Sequence, residues 1–310
     1  IEVALQKTLK SDVVFIGKGL HTGADVKLCV RPAAAETGIW FRRTDVAEES
    51  AFICGNWQFS VHTALCTRLE NEEGISVSTV EHIMAALAGC GINNALLELN
   101  GPELPIMDGS AYDFVTGFLK VGFSKQMVPV RALEILEKVE VSINGAYAAL
   151  EPYPGTKMEF MIDFPDAAIG QQSKSLDLAN GSFVKELSNS RTFCANSDVD
   201  IMRSQGLALG GTLMNALVVD GSDVLNPGGM RYVDEPVRHK MLDAVGDLAL
   251  AGGPIIGRYV GRRSGHTATN KLLQKLFSKP SAFRMIDCNL EMTMCLPGAG
   301  LVWDDVCIAK

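Results

Sequence analysis

Apolar and polar residues alternate along most of the first forty positions. Residues 1–20 read as strand, turn, strand, running into F-I-G-K-G-L-H-T-G. Strand-like runs follow at 26–30 and 38–43, separated by the turn-forming R-P-A-A-A-E-T-G. The period then changes. S-T-V-E-H-I-M-A-A-L-A-G-C-G, from Ser78, predicts a short helix that is apolar nearly all round, the mark of a helix buried between other elements. A strand over 94–99 leads into a loop with two prolines, G-P-E-L-P-I-M-D-G-S-A, and a second helix is expected over 111–121.

Residues 122–133 change character and open a β-rich stretch from 133 to about 164. The expected division is 1–127 and 128–280, with 281–310 as an extension of no assigned role. The second half repeats the order of the first. HIMAALAGCGINNALLEL from His82 and HKMLDAVGDLALAGGPIIGRYVG from His239 each run from a histidine through an apolar helix to a glycine turn and a strand. Asp234 is placed to cap the second of these helices, Pro236 sits in its first turn and Gly252–Gly253 closes it. The expected class is α+β, two similar domains that each layer a sheet on helices.

Composition narrows the function classes. Hydrophobic residues are 47% and charged residues 21%, which excludes disorder, collagen-like repeats and coiled coil. A formal net charge of −8 argues against nucleic acid or an anionic membrane surface as partner, while leaving room for a local basic pocket. No apolar run reaches bilayer-spanning length. Eight cysteines without a C-x-x-C pair suit reduced thiols and count against a cysteine zinc site.

Three histidines lie in chemically loaded settings. Glu81-His82 opens the first apolar helix, where a carboxylate gains only about 0.3–1 kcal/mol from the helix end. A capping carboxylate beside a hydrogen-bonded core histidine would also fit. His239, Asp243 and Asp247 follow at i, i+4, i+8 and share one helical face. A histidine and an aspartate so spaced can hold one divalent ion, and zinc accepts both donors. A solvated charged stripe fits worse, given Gly246 in mid-helix and the apolar flanks Met241, Leu242, Val245 and Leu248. In R-R-S-G-H, His266 sits on a glycine-flanked loop beside Arg262 and Arg263, which taken alone reads more simply as an ordinary polar turn. Together these supply three ligands with an open fourth position, a spare glutamate and a spare histidine: the equipment for metal-assisted amide or ester hydrolysis.

The ordered motifs G-L-H-T-G (19–23), L-C-T (65–67), S-T-V-E-H (78–82), P-I-M-D-G-S-A (105–111), S-R-T-F (190–193), L-A-L-G-G (207–211), R-H-K-x-L-D-A-x-G-D (238–247) and S-G-H (264–266) resemble the UDP-3-O-acyl-N-acetylglucosamine deacetylases of lipid A biosynthesis. The resemblance covers residues 7 to 280. It implies two domains with the active site between them, zinc on His82, His239 and Asp243, Glu81 as general base, and His266 as acid oriented by Asp247. Thr192 would stabilise the oxyanion, Phe193 and Lys240 would contact sugar and polar groups, and Phe164 and Arg263 would hold the nucleotide end. Leu20 and Cys66 would also contact the substrate. The segment 194–219 matches an insert that takes the fatty chain, with Val199, Thr212, Leu213, Ala216 and Val218 as lining. The family implies a monomer acting on a UDP-linked acylated amino sugar. It is cytoplasmic in bacteria and mitochondrial in plants, and the start at Ile1 with eight cysteines leans toward the organellar form. A zinc amidohydrolase for another acylated amine, or a non-catalytic binder of nucleotide sugar or acyl chain, are the competing readings.

Overall fold

The chain is described by a computed structural model that covers residues 3–63 and 65–308. Its first half builds a five-stranded sheet in the order Val13–Lys18, Asp25–Pro32, Ala95–Leu99, Ile39–Arg43, Phe52–Cys54. The central strand Ala95–Leu99 runs antiparallel to Asp25–Pro32 and parallel to Ile39–Arg43. The second half lays down the same pattern: Val139–Ile143, Ala146–Glu151, Ile255–Arg262, Thr156–Asp163, Gln171–Asp177. There Ile255–Arg262 is central, antiparallel to Ala146–Glu151 and parallel to Thr156–Asp163. The His-helix-strand echo in the sequence is thus an echo in topology, and the α+β expectation holds.

Five helices of eight residues or more occur among the described residues: α1 (Glu81–Gly89), α2 (Tyr112–Val121), α3 (Asn196–Ser204), α4 (Glu235–Ala249) and α5 (His266–Phe277). In each half the helix before the central strand, α1 or α4, is the buried one, and these two pack on each other. Small residues make that possible. α1 carries Ala85, Ala86 and Ala88, and a Cβ at Gly246 of α4 would stand 1.9 Å from the Glu81 carbonyl oxygen. The mid-helix glycine therefore marks backbone against backbone.

Some local expectations change. Leu5–Leu9 and Val13–Lys18 belong to different sheets, because Leu5–Leu9 pairs with Phe123–Pro129 and ties the start of the chain to its middle. Asp234 occupies the N-terminal boundary of α4, but its carboxylate accepts from Arg238 Nε at 2.5 Å and Lys174 Nζ at 3.4 Å, leaving no cap bond. The last segment adds strand Phe283–Asp287 antiparallel to Arg131–Ile135. It also buries Cys288 and Leu296 with Ala4, Val130, Ala132 and Ile256 in a small separate cluster.

Gly246→Ala is expected to lower the melting temperature by several degrees, because overpacking this contact costs about 1–3 kcal/mol and outweighs the gain in helix propensity. A thermal denaturation midpoint equal to that of the parent would contradict the close approach.

Candidate active site

The α1–α4 contact brings the chemical groups together. A cavity of about 440 Å³ opens at the first turn of α1, the middle of α4 and the start of α5. Glu81, His82, His239, Lys240, Asp243 and His266 all line it. Just before α1, Thr79 takes φ 61°, which for a β-branched residue costs about 1–3 kcal/mol and is held by its surroundings. Its hydroxyl donates to Glu103, whose carboxylate also accepts from the backbone of His21 and Thr22.

Asp243 Oδ1 lies 3.6 Å from His82 Nε2 and 3.3 Å from His239 Nε2. Tetrahedral ligands about 2.0–2.2 Å from a zinc ion stand about 3.3–3.6 Å apart. The three residues are buried and offer ligand atoms within 4.8 Å of one another. Two further observations show that they fit a metal ion. Asp243 Oδ1 is buried and receives no hydrogen bond. His239 Nδ1 donates to the Ser190 carbonyl at 2.9 Å, which leaves its Nε2 lone pair aimed inward. Burial, helped by His82 and Lys240, pulls the His239 pKa down to about 4 despite Asp243, so the imidazole is neutral.

Acid–base groups flank this cluster. Burial raises the Glu81 pKa, with the nearby histidines opposing. His266 Nδ1 donates to Asp247 Oδ2 at 2.8 Å, while its Nε2 stands 3.8 Å from Glu81 Oε1 and 3.9 Å from Asp243 Oδ2. Burial lowers the His266 pKa, but Asp247, Glu81 and Asp243 outweigh it and lift the value to about 9. Lys240 Nζ donates to Asp243 Oδ2 at 2.8 Å. Burial again opposes the charge, and Asp243 more than restores it, so the Lys240 pKa rises. Asp243 is held well below the usual carboxylate range, since His239 and Lys240 overcome its burial.

The remaining expected residues divide by position. Leu20, Phe164, Thr192 and Phe193 line the cavity, with Phe164 and Phe193 edge to face at 5.2 Å. Cys66 is buried outside the lining. Arg263 is exposed, also outside it, and pairs with Asp163 at 2.7 Å. The segment 194–219 forms a strand–helix–strand unit in which Phe193–Ala195 runs parallel to Leu217–Asp220 across α3. Val199 lies half-buried on α3, Thr212 and Leu213 are exposed, and Ala216 and Val218 are buried. None of these five faces the cavity directly. The unit closes on the first half through Leu209 N–H to His21 O and Gly210 N–H to Leu20 O.

Two residues went unselected in the sequence. His21 lines the cavity with a buried, unpartnered Nε2, and Thr67 bonds both Glu81 and Asp247. Each sits inside a quoted motif, and that was the only signal. A second cavity of about 340 Å³ lies elsewhere, lined by Met84, Leu87, Met158 and Val245, and has no histidine to do chemistry.

The sequence profile of the UDP-3-O-acyl N-acetylglycosamine deacetylases matches residues 6–278. The chain belongs to this family. It is 45% identical over 280 residues to the UDP-3-O-acyl-N-acetylglucosamine deacetylase of Phenylobacterium zucineum, covering 90% of this chain and 96% of the relative. It is 44% identical over 283 residues to that of Pasteurella multocida, covering 91% and 92%. The Shewanella frigidimarina enzyme is 40% identical over 300 residues, covering 95% and 98%. These family relatives are bacterial, and no helix of the described residues is long and apolar enough to cross a membrane.

Asp243→Asn is expected to weaken retention of a divalent ion by more than about tenfold, since it removes the one anionic ligand. Chelator competition checks this, and unchanged retention would move the ion off these residues.

Proposed function

We propose that this chain hydrolyses the N-acetyl group of UDP-3-O-(3-hydroxyacyl)-N-acetylglucosamine, releasing acetate and the free glucosamine derivative, a step of lipid A biosynthesis. The observation that carries the reading is the placement of Glu81 and His266 beside the His82–His239–Asp243 cluster, with Glu81 Oε1 and His266 Nε2 3.8 Å apart. His82, His239 and Asp243 would hold a zinc ion. Bound there, it would supply a Lewis acid for the acetamide carbonyl.

The chain's own groups move the protons. Glu81 takes one from the attacking water, and the high pKa conferred by burial suits it to receive that proton. Thr192, on the cavity wall, donates its hydroxyl to the developing oxyanion. His266, held in its charged form chiefly by Asp247 and Glu81, gives its Nε2 proton to the departing nitrogen. Asp247 holds His266 through Nδ1, which fixes the ring and favours its charged form. Lys240 and Phe193 meet the sugar and its polar groups, and Leu20 lies beside them. Phe164 and Arg263 take the nucleotide end, where a guanidinium suits phosphate oxygens.

The fatty chain is assigned to the 194–219 unit, with Val199, Thr212, Leu213, Ala216 and Val218 along its course and Cys66 behind the cavity wall. The exposure of Leu213 favours this. The same reading treats 1–127 and 128–280 as the two domains, acting as a monomer. The bacterial relatives favour the cytoplasm over an organelle.

Acetate release followed against pH tests the assignment. On the acid side activity rises as Glu81 ionises. It falls on the alkaline side as His266 loses its proton, at a pH below 9 once a divalent charge stands nearby. Glu81→Gln and His266→Gln are each expected to cost about 10²–10⁴ in kcat/KM and to abolish the acid and alkaline limbs respectively. A profile that climbs monotonically in the parent and in both variants would sink these roles.

A further inference from the structure

Thr67 is 1% exposed, lies outside the cavity lining and immediately precedes the short strand Arg68–Glu70. Its backbone N–H donates to Glu81 Oε2 at 2.9 Å, and its hydroxyl donates to Asp247 Oδ1 at 2.5 Å. Its carbonyl accepts from Val80 N–H at 3.3 Å, which clasps it to the turn that opens α1. We infer that Thr67 is a positioning residue that aims two carboxylates, the base Glu81 and the Asp247 that holds the acid His266; this rests on the roles proposed above for Glu81 and Asp247.

The geometry gives each carboxylate one tethered oxygen and one working oxygen. With Oε2 tied to Thr67, Glu81 presents Oε1 toward His266. With Oδ1 tied to the Thr67 hydroxyl, Asp247 keeps Oδ2 for His266 Nδ1. Glu81 stands on α1 and Asp247 on α4, so one residue sets two groups delivered by different helices. Losing the hydroxyl leaves Asp247 Oδ1 buried without its donor and the carboxylate free to turn. His266 would then lose its alignment, although the ion ligands and the cavity wall stay in place. The backbone bond to Glu81 survives any side-chain change, so the hydroxyl can be tested alone.

The experiment measures kcat and KM for acetate release in the zinc-loaded full chain. Thr67→Val, close in shape but without a donor, is expected to lower kcat about 10–100-fold with KM within about twofold and zinc content unchanged. Thr67→Ser is expected to keep kcat within about threefold of the parent, and Thr67→Ala to lose as much as valine. The serine and alanine variants share the missing methyl, so this pair decides if the valine variant does not fold. In an Asp247→Asn background Thr67→Val should cost far less than alone, because the two act through one bond. Parent-like kcat in the valine and alanine variants would overturn the inference, as would serine as slow as alanine or a loss confined to KM. A parent chain that releases no acetate would instead overturn the function on which the inference rests.

Discussion

The contact between α1 and α4 carries the rest of the molecule. Each helix belongs to one half of a repeated topology, and neither supplies all the polar groups of the cavity. α1 brings Glu81 and His82, and α4 brings His239, Lys240, Asp243 and Asp247. They meet in one cavity because Gly246 lets the α4 backbone rest on the Glu81 carbonyl. A side chain at that point would push apart the groups that must face each other. The repeated layer provides two helices, and the close approach at Gly246 brings their two faces to one cavity.

That meeting gathers charge in the interior. Glu81, Asp243 and Asp247 are buried carboxylates, and the facing cations are Lys240 and protonated His266. His239 is kept neutral by its burial. Such a cluster costs free energy unless its members are bonded or compensated. Lys240 answers Asp243, His266 answers Asp247, and Thr67 supplies donors to both Glu81 and Asp247. The atom left over is Asp243 Oδ1, buried between two imidazole nitrogens, where a divalent ion would complete the balance.

Much of this was legible in the sequence. The i, i+4, i+8 spacing put His239, Asp243 and Asp247 on one face, and the apolar run after His82 marked α1 as buried. The repeated helix–turn–strand pattern anticipated the paired topology. Side chains that work through distant partners were less visible. Thr67 earns its place through a bond to a residue 180 positions away, which no local pattern encodes. Asp234 sits where a cap belongs, yet Arg238 and Lys174 compete for its carboxylate and win. The pairing of Leu5–Leu9 with Phe123–Pro129 is likewise a matter of long-range register. Periodicity tells which face is buried, but not against what.

The most direct test of the account is acetate release from UDP-3-O-(3-hydroxymyristoyl)-N-acetylglucosamine by metal-stripped and zinc-restored protein, read beside zinc content. Release is expected to be lost on stripping and to return as zinc binds at one ion per chain. A chain lacking His82 is expected not to recover. Release that survives stripping, or full recovery without His82, would contradict a single ion held jointly by α1 and α4.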